Sequence, residues 1–77
     1  MNIAEQAKRI YESRLRSTLE SNHRNRFVAI EPVSESYFLA DDFVEAALAA
    51  KTAYPDRKSF VLRVGHEAAF HMGGMAS

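Results

Sequence analysis

The chain has 77 residues and a mass of 8.7 kDa, with no cysteine and ten Lys/Arg against ten Asp/Glu. Such a length allows one domain whose folding buries roughly 60% of the unfolded chain's surface, so the core is small and marginal. The lack of cysteine excludes disulfide staples, thiolate metal sites and thiol catalysis, and a hydrophobic fraction of 47% with 26% charged residues is too apolar for intrinsic disorder.

The net charge of zero is unevenly distributed. Residues 1–26 carry Lys8, Arg9, Arg14, Arg16, Arg24 and Arg26 against Glu5, Glu12 and Glu20, a balance of +3. Residues 27–50 carry Glu31, Glu35, Asp41, Asp42 and Glu45 and no base, a balance of −5. Residues 51–77 carry Lys51, Arg57, Lys58 and Arg63 against Asp56 and Glu67, a balance of +2. This pattern predicts either a nucleic-acid face or complementary surfaces within or between chains.

From Asn2 to about Asn22, Ile3, Ala7, Ile10, Tyr11, Leu15 and Leu19 recur at steps of three and four, which predicts one amphipathic helix. Glu5 precedes Arg9, Glu12 precedes Arg16 and Glu20 precedes Arg24 by four residues each. The acid lies N-terminal in every pair, the orientation that gives about 0.2–0.5 kcal/mol per pair. Phe27–Glu31 and Tyr37–Ala40 read as two strands of a hairpin, joined by the turn-forming residues 32–36. Asp42, with Glu45 three residues on, fits a capping box for a second helix, and Asp41 is an equal alternative. That helix runs from Phe43 to about Tyr54, is rich in alanine and ends at Pro55. Residues 59–64 form a third strand ended by Gly65, residues 69–72 suit a short fourth strand, and the tail frays from about residue 73.

The fold class is therefore α+β, in the order α-β-β-α-β, with a three-stranded sheet that residues 69–72 extend to four. A right-handed strand-helix-strand crossover leaves the second and third strands parallel, and with the first strand between them the order is 2-1-3. Apolar residues occupy both faces of every strand. Either the two helices cover opposite faces, or they share one and a second copy covers the other. Small size and open sheet edges make a homodimer the expected assembly.

Chemical signatures are sparse. His66-Glu67-Ala68-Ala69-Phe70-His71 invites comparison with the zinc motif His-Glu-x-x-His, but its histidines stand five residues apart. Zinc helices need histidines four apart, and five residues separate the imidazoles by about 140° around a helix. No metal or cofactor is expected. Asp41, Asp42 and Glu45 suit a helix start. The eight aromatics fall mostly on core positions of strands and helices. No nucleophile, base and orienting group recur at readable spacing, so no catalytic residue is assigned and an enzyme is not expected.

Arg26-Phe27-Val28-Ala29-Ile30-Glu31-Pro32, Tyr37-Phe38-Leu39-Ala40-Asp41-Asp42, Tyr54-Pro55-Asp56 and Arg63-Val64-Gly65-His66 together carry a resemblance. The chain resembles a group of short bacterial proteins of unknown function, over about residues 24–74. These share a Val-Ala-Ile strand, an aspartate-capped helix, a Tyr-Pro-Asp stop and an Arg-Val-Gly strand end, with Ala40 here in place of glycine. The resemblance implies an accessory or antitoxin-like partner rather than an enzyme.

The sequence thus predicts a cytoplasmic, non-enzymatic protein-binding or regulatory module with no membrane segment. Its expected partners are a second copy of itself and another protein. The candidate contact residues are Lys8, Arg9, Arg14, Arg16, Arg63, His66 and His71, together with the open strand edge. The alternative is a nucleic-acid-binding regulator that uses the basic helix through Lys8, Arg9, Arg14, Arg16, Arg24 and Arg26.

Overall fold

The structure, a computed structural model, describes residues 2–65 and the strand at 69–70. The chain begins with α1 (Ile3–Ile10), a π-helical segment (Tyr11–Leu15) and α2 (Arg16–Asn22), stacked end to end. It continues through β1 (Phe27–Glu31), β2 (Ser36–Ala40), α3 (Phe43–Ala53), β3 (Phe60–Arg63) and β4 (Ala69–Phe70). The α+β class and the element order match the sequence reading.

The four strands pair antiparallel in the order β2-β1-β3-β4, with β1 interior, so β2 and β3 run parallel to each other on either side of it. The predicted 2-1-3 arrangement is present, extended by β4. Among the described residues, no helix is long and apolar enough to cross a membrane.

The helices lie on opposite faces of the sheet. On one face, Ala7, Tyr11 and Leu19 pack with Val28, Ile30, Phe60, Leu62 and Val64, all buried. On the other, Ala46 and Ala50 of α3 pack with Ala29, Ala40 and Val61, flanked by Phe27, Phe38 and Phe43. Ala46 and Ala50 stand one turn apart, so two methyl groups form the contact stripe and the helix backbone sits close to the strands. Both faces therefore have a helix of the same chain over them, and the first of the two arrangements allowed by the sequence is the one adopted. A second copy is not needed as a lid for the sheet.

The N-terminal helix departs from a regular α-helix, for a reason present in its own apolar spacing. Ala7, Tyr11, Leu15 and Leu19 follow at steps of four. At about 100° per residue, the twelve residues from Ala7 to Leu19 overshoot three turns by about 120°. The π segment, whose Arg16 N–H reaches back five residues to the Tyr11 carbonyl, absorbs one extra residue and returns the stripe to the sheet.

Caps fix the other ends. Asn2 accepts the Glu5 N–H at 2.8 Å, and Asp42 rather than Asp41 caps α3, its Oδ1 accepting the Glu45 N–H at 2.8 Å. Asn25, at φ 72°, turns the chain into β1, and its N–H donates to the Val64 carbonyl at 3.0 Å. Asparagine tolerates this left-handed conformation better than most residues.

Candidate functional site

Among the described residues, two features outside the core carry chemistry: a charged groove along the N-terminal helix and the outer margin of β2. The groove has a volume of about 500 Å³. Tyr11, Leu62 and Gly65 form its floor, and Lys8, Glu12, Arg16, Glu20 and Arg24 its walls. The Tyr11 hydroxyl donates to Glu20 Oε2 at 2.9 Å and accepts the Gly65 N–H at 3.4 Å. Burial and the bond to Glu20 push the Tyr11 phenol above its usual value, against the opposing pull of the Gly65 N–H. The phenol is thus held as a neutral donor at neutral pH and is a poor nucleophile.

The groove's arginines are occupied. Arg16 lies 2.7 Å from Glu12 and 3.2 Å from Glu20, and Arg24 lies 4.0 Å from Glu20. Hydrogen bonding to Glu12 strengthens the hold of Arg16 on its proton. Two of the three helical pairs expected from spacing are present. Among the described residues no ion pair joins Glu5 to Arg9.

Two further pairs link the basic arm to the acidic middle. Arg14 pairs with Glu35 of the hairpin loop, and Arg26 Nε lies 3.2 Å from Asp41 Oδ1. The second contact is an ion pair without hydrogen-bond alignment, since the buried Arg26 Nε has no hydrogen-bond acceptor. The charge asymmetry is thus spent largely inside the chain, on contacts between segments of opposite sign.

The candidate contact residues do not converge. Lys8 and Arg16 share the groove, Arg14 sits by the hairpin, and Arg9 is exposed on α1. Arg63 belongs to the opposite face, its guanidinium 5.3 Å from the centre of the Phe27 ring and its Nε donating to the Asn25 carbonyl at 3.3 Å. His66 and His71 lie outside the described residues. Among the described residues, no three His, Asp or Glu side chains gather where one metal ion would reach them all.

The margin of β2 differs in character. Its five residues pair one for one with β1, Ser36 with Glu31 through Ala40 with Phe27, and no bulge interrupts the ladder. Among the described residues, no strand pairs with its outer side. Natural sheets protect such margins with lysine, proline or a bulge. Ser36-Tyr37-Phe38-Leu39-Ala40 contains no charge and no proline. Tyr37 is 43% exposed, because the N-terminal helix lies over β1 and β3 and leaves it uncovered.

The hairpin beside this margin is tied together by a network that spacing alone did not indicate. Glu31 is 1% exposed, and its carboxylate accepts the N–H groups of Val33 and Ser34, each at 2.9 Å. Ser36 Oγ and Tyr54 Oη are 2.9 Å apart, and the Phe38 and Tyr54 rings meet edge to face at 6.2 Å between centroids. One signal in the sequence pointed here: a glutamate ending an apolar strand before Pro32, with Ser34 two residues beyond it.

The chain matches no protein-family model, no curated protein and no solved structure.

Proposed function

We propose that this chain is a non-enzymatic binding module that recognises another protein by strand addition at the outer edge of β2. A single observation carries the reading: five residues in unbroken register, uncharged and free of proline and bulge, have no strand on their outer side among the described residues. An extended segment added there would gain main-chain hydrogen bonds along the strand, and side-chain contacts on alternate faces would give selectivity. Glu31 and Tyr54 support this reading, since their hydrogen bonds tie the hairpin together before a partner arrives. The neutral Tyr11 and the paired arginines of the groove favour binding over catalysis.

The basic helix is the weaker contact surface. Arg14, Arg16, Arg24 and Arg26 each have a carboxylate within 4.0 Å, which reduces the field available to phosphates.

The test is co-purification from the source cells with the wild-type chain and with Tyr37→Lys, which places a charge on the margin at an exposed position. The expected result is a protein that accompanies the wild type and is lost from the variant. Hydrogen exchange on the purified complex should then show slowed amides at Ser36–Ala40. Protection confined to the N-terminal helix, with the edge still exchanging freely, would overturn the reading.

A further inference from the structure

We infer that the β2 edge takes an extended apolar segment flanked by lysine or arginine, rather than a second copy of this chain. The inference rests on the strand-addition reading above and adds the chemistry of the partner.

The ends of the edge are acidic. Glu35 immediately precedes β2, and Asp41 and Asp42 immediately follow it. The Glu35 side chain is 48% exposed and that of Asp41 85% exposed. Arg14 and Arg26 approach these carboxylates from other elements, as exposed or half-exposed pairs. Pairs of this kind contribute about 0–1 kcal/mol and are readily shared with an incoming base. Asp42 caps α3 through Oδ1 and adds a second carboxylate at this end. The body of the edge is apolar, with Tyr37 and Leu39 on one face and Phe38 and Ala40 on the other.

A second copy fits these ends less well than a basic segment does. Antiparallel two-fold pairing centred on Phe38 sets Tyr37 opposite Leu39 and fills the edge. It also sets Glu35 opposite Asp41 at both ends. A shift of one residue in one direction sets Glu35 opposite Asp42, and in the other direction leaves only residues 36–39 overlapped. Like charges directly opposite one another on neighbouring strands are destabilising. A segment with basic ends reverses the sign of the same contacts and gains from steering.

Two synthetic peptides test this against the full, ¹⁵N-labelled chain. Both contain Val-Thr-Val-Thr-Val; one has Lys-Arg at each end, the other Glu-Glu. Amide shifts at Ser36–Ala40 should titrate about tenfold more tightly with the basic peptide at about 50 mM salt, an advantage that shrinks at about 500 mM. The double variant Glu35→Gln with Asp41→Asn should shrink the difference at least about threefold, Asp42 still being present, and leave α3 capped. Equal or tighter binding of the acidic peptide at the same amides would overturn the inference and leave the strand-addition reading in place. Shifts elsewhere, or none with either peptide, would overturn both. Self-association that occupies Ser36–Ala40 would make the second copy the occupant and overturn the inference.

Discussion

Arg57 and Glu31 meet across 26 residues of sequence, Nη1 to Oε1 at 3.3 Å, and join the turn after α3 to the end of β1. The two partners are unequally placed. The Glu31 side chain is 1% exposed and that of Arg57 45% exposed, so the acid has little water to fall back on and the base has plenty. Glu31→Ala strands the Val33 and Ser34 N–H groups and is expected to lower stability by about 2–3 kcal/mol in urea titration. Arg57→Met removes one half-exposed partner and should lower it by no more than about 1 kcal/mol. Equal losses from the two substitutions would show that the ion pair, rather than the loop hydrogen bonds, dominates.

The same carboxylate gives the stability an acid limb. Burial works to raise the Glu31 value, but bonds from the Ser34 hydroxyl, the Ser34 and Val33 N–H groups and Arg57 outweigh it and hold the carboxyl below its ordinary 4.5. A folded value below the unfolded one gives a contribution that is complete above about pH 4.5 and is lost as pH falls through the folded value. Urea midpoints measured from pH 7 down to about pH 3 should therefore fall in the wild type and fall less steeply in Glu31→Gln. Parallel curves would assign the acid limb to other carboxylates.

Tyr11 supplies the opposite limb. Its phenol is raised above 10.0 by burial and by its bond to Glu20, so its contribution is present below pH 10 and is lost as pH rises through the folded value. Tyr54 is shifted the other way, lowered by hydrogen bonds with Ser34 and Ser36. An alkaline titration followed by tyrosinate absorbance should lose its earliest step in Tyr54→Phe and its latest in Tyr11→Phe. Tyr11→Phe should also cost about 1 kcal/mol at neutral pH, because Glu20 keeps Arg16 as a partner. Identical titrations of the two variants would contradict the placement of both phenols.

The elements legible in the sequence were those marked by local signals. The strand Phe27–Glu31, the hairpin, the aspartate cap and the 2-1-3 sheet order follow from short β-type apolar runs, turn residues, a capping box and crossover handedness, and all are present. Tertiary decisions were harder to read. Whether α3 and the N-terminal helix share a face depends on how near each can approach, which the alanines at 46 and 50 settle only once the strands are in place. Glu31 looks like a solvated strand end until the 32–35 turn folds back over it. Local charge spacing indicated Glu12–Arg16 and Glu20–Arg24. It was blind to Arg14–Glu35 and Arg26–Asp41, which fold together segments of opposite sign.

The alanine stripe of α3 makes a sharp prediction about volume. Ala46 is 0% and Ala50 2% exposed against the sheet, whereas Leu48 on the outer face is 58% exposed. Ala46→Leu must push the helix off Ala29 and Val61 and should cost about 1–3 kcal/mol. Leu48→Ala should change stability by less than about 0.5 kcal/mol. Thermal melts of both variants check this; a neutral Ala46→Leu would mean that α3 does not sit close to the strands.

The π segment can be tested by removing the residue it accommodates. Ser13 is exposed and its hydroxyl bonds the Arg9 carbonyl within its own helix, at 2.8 Å. Deleting it shortens the interval from Ala7 to Leu19 by one residue, so an unbroken α-helix overshoots three turns by only about 20°. The apolar residues then follow at steps of four, three and four, and one regular helix can dock on Val28, Ile30 and Leu62. The deletion variant should fold with stability within about 1 kcal/mol of wild type and with undiminished helical circular dichroism. Inserting one alanine after Leu15 has the opposite effect. It rotates Leu19, 1% exposed in the wild type, by about 100° away from the sheet, and should cost about 2–4 kcal/mol. If deletion proved as damaging as insertion, the π turn would have a role beyond aligning the stripe.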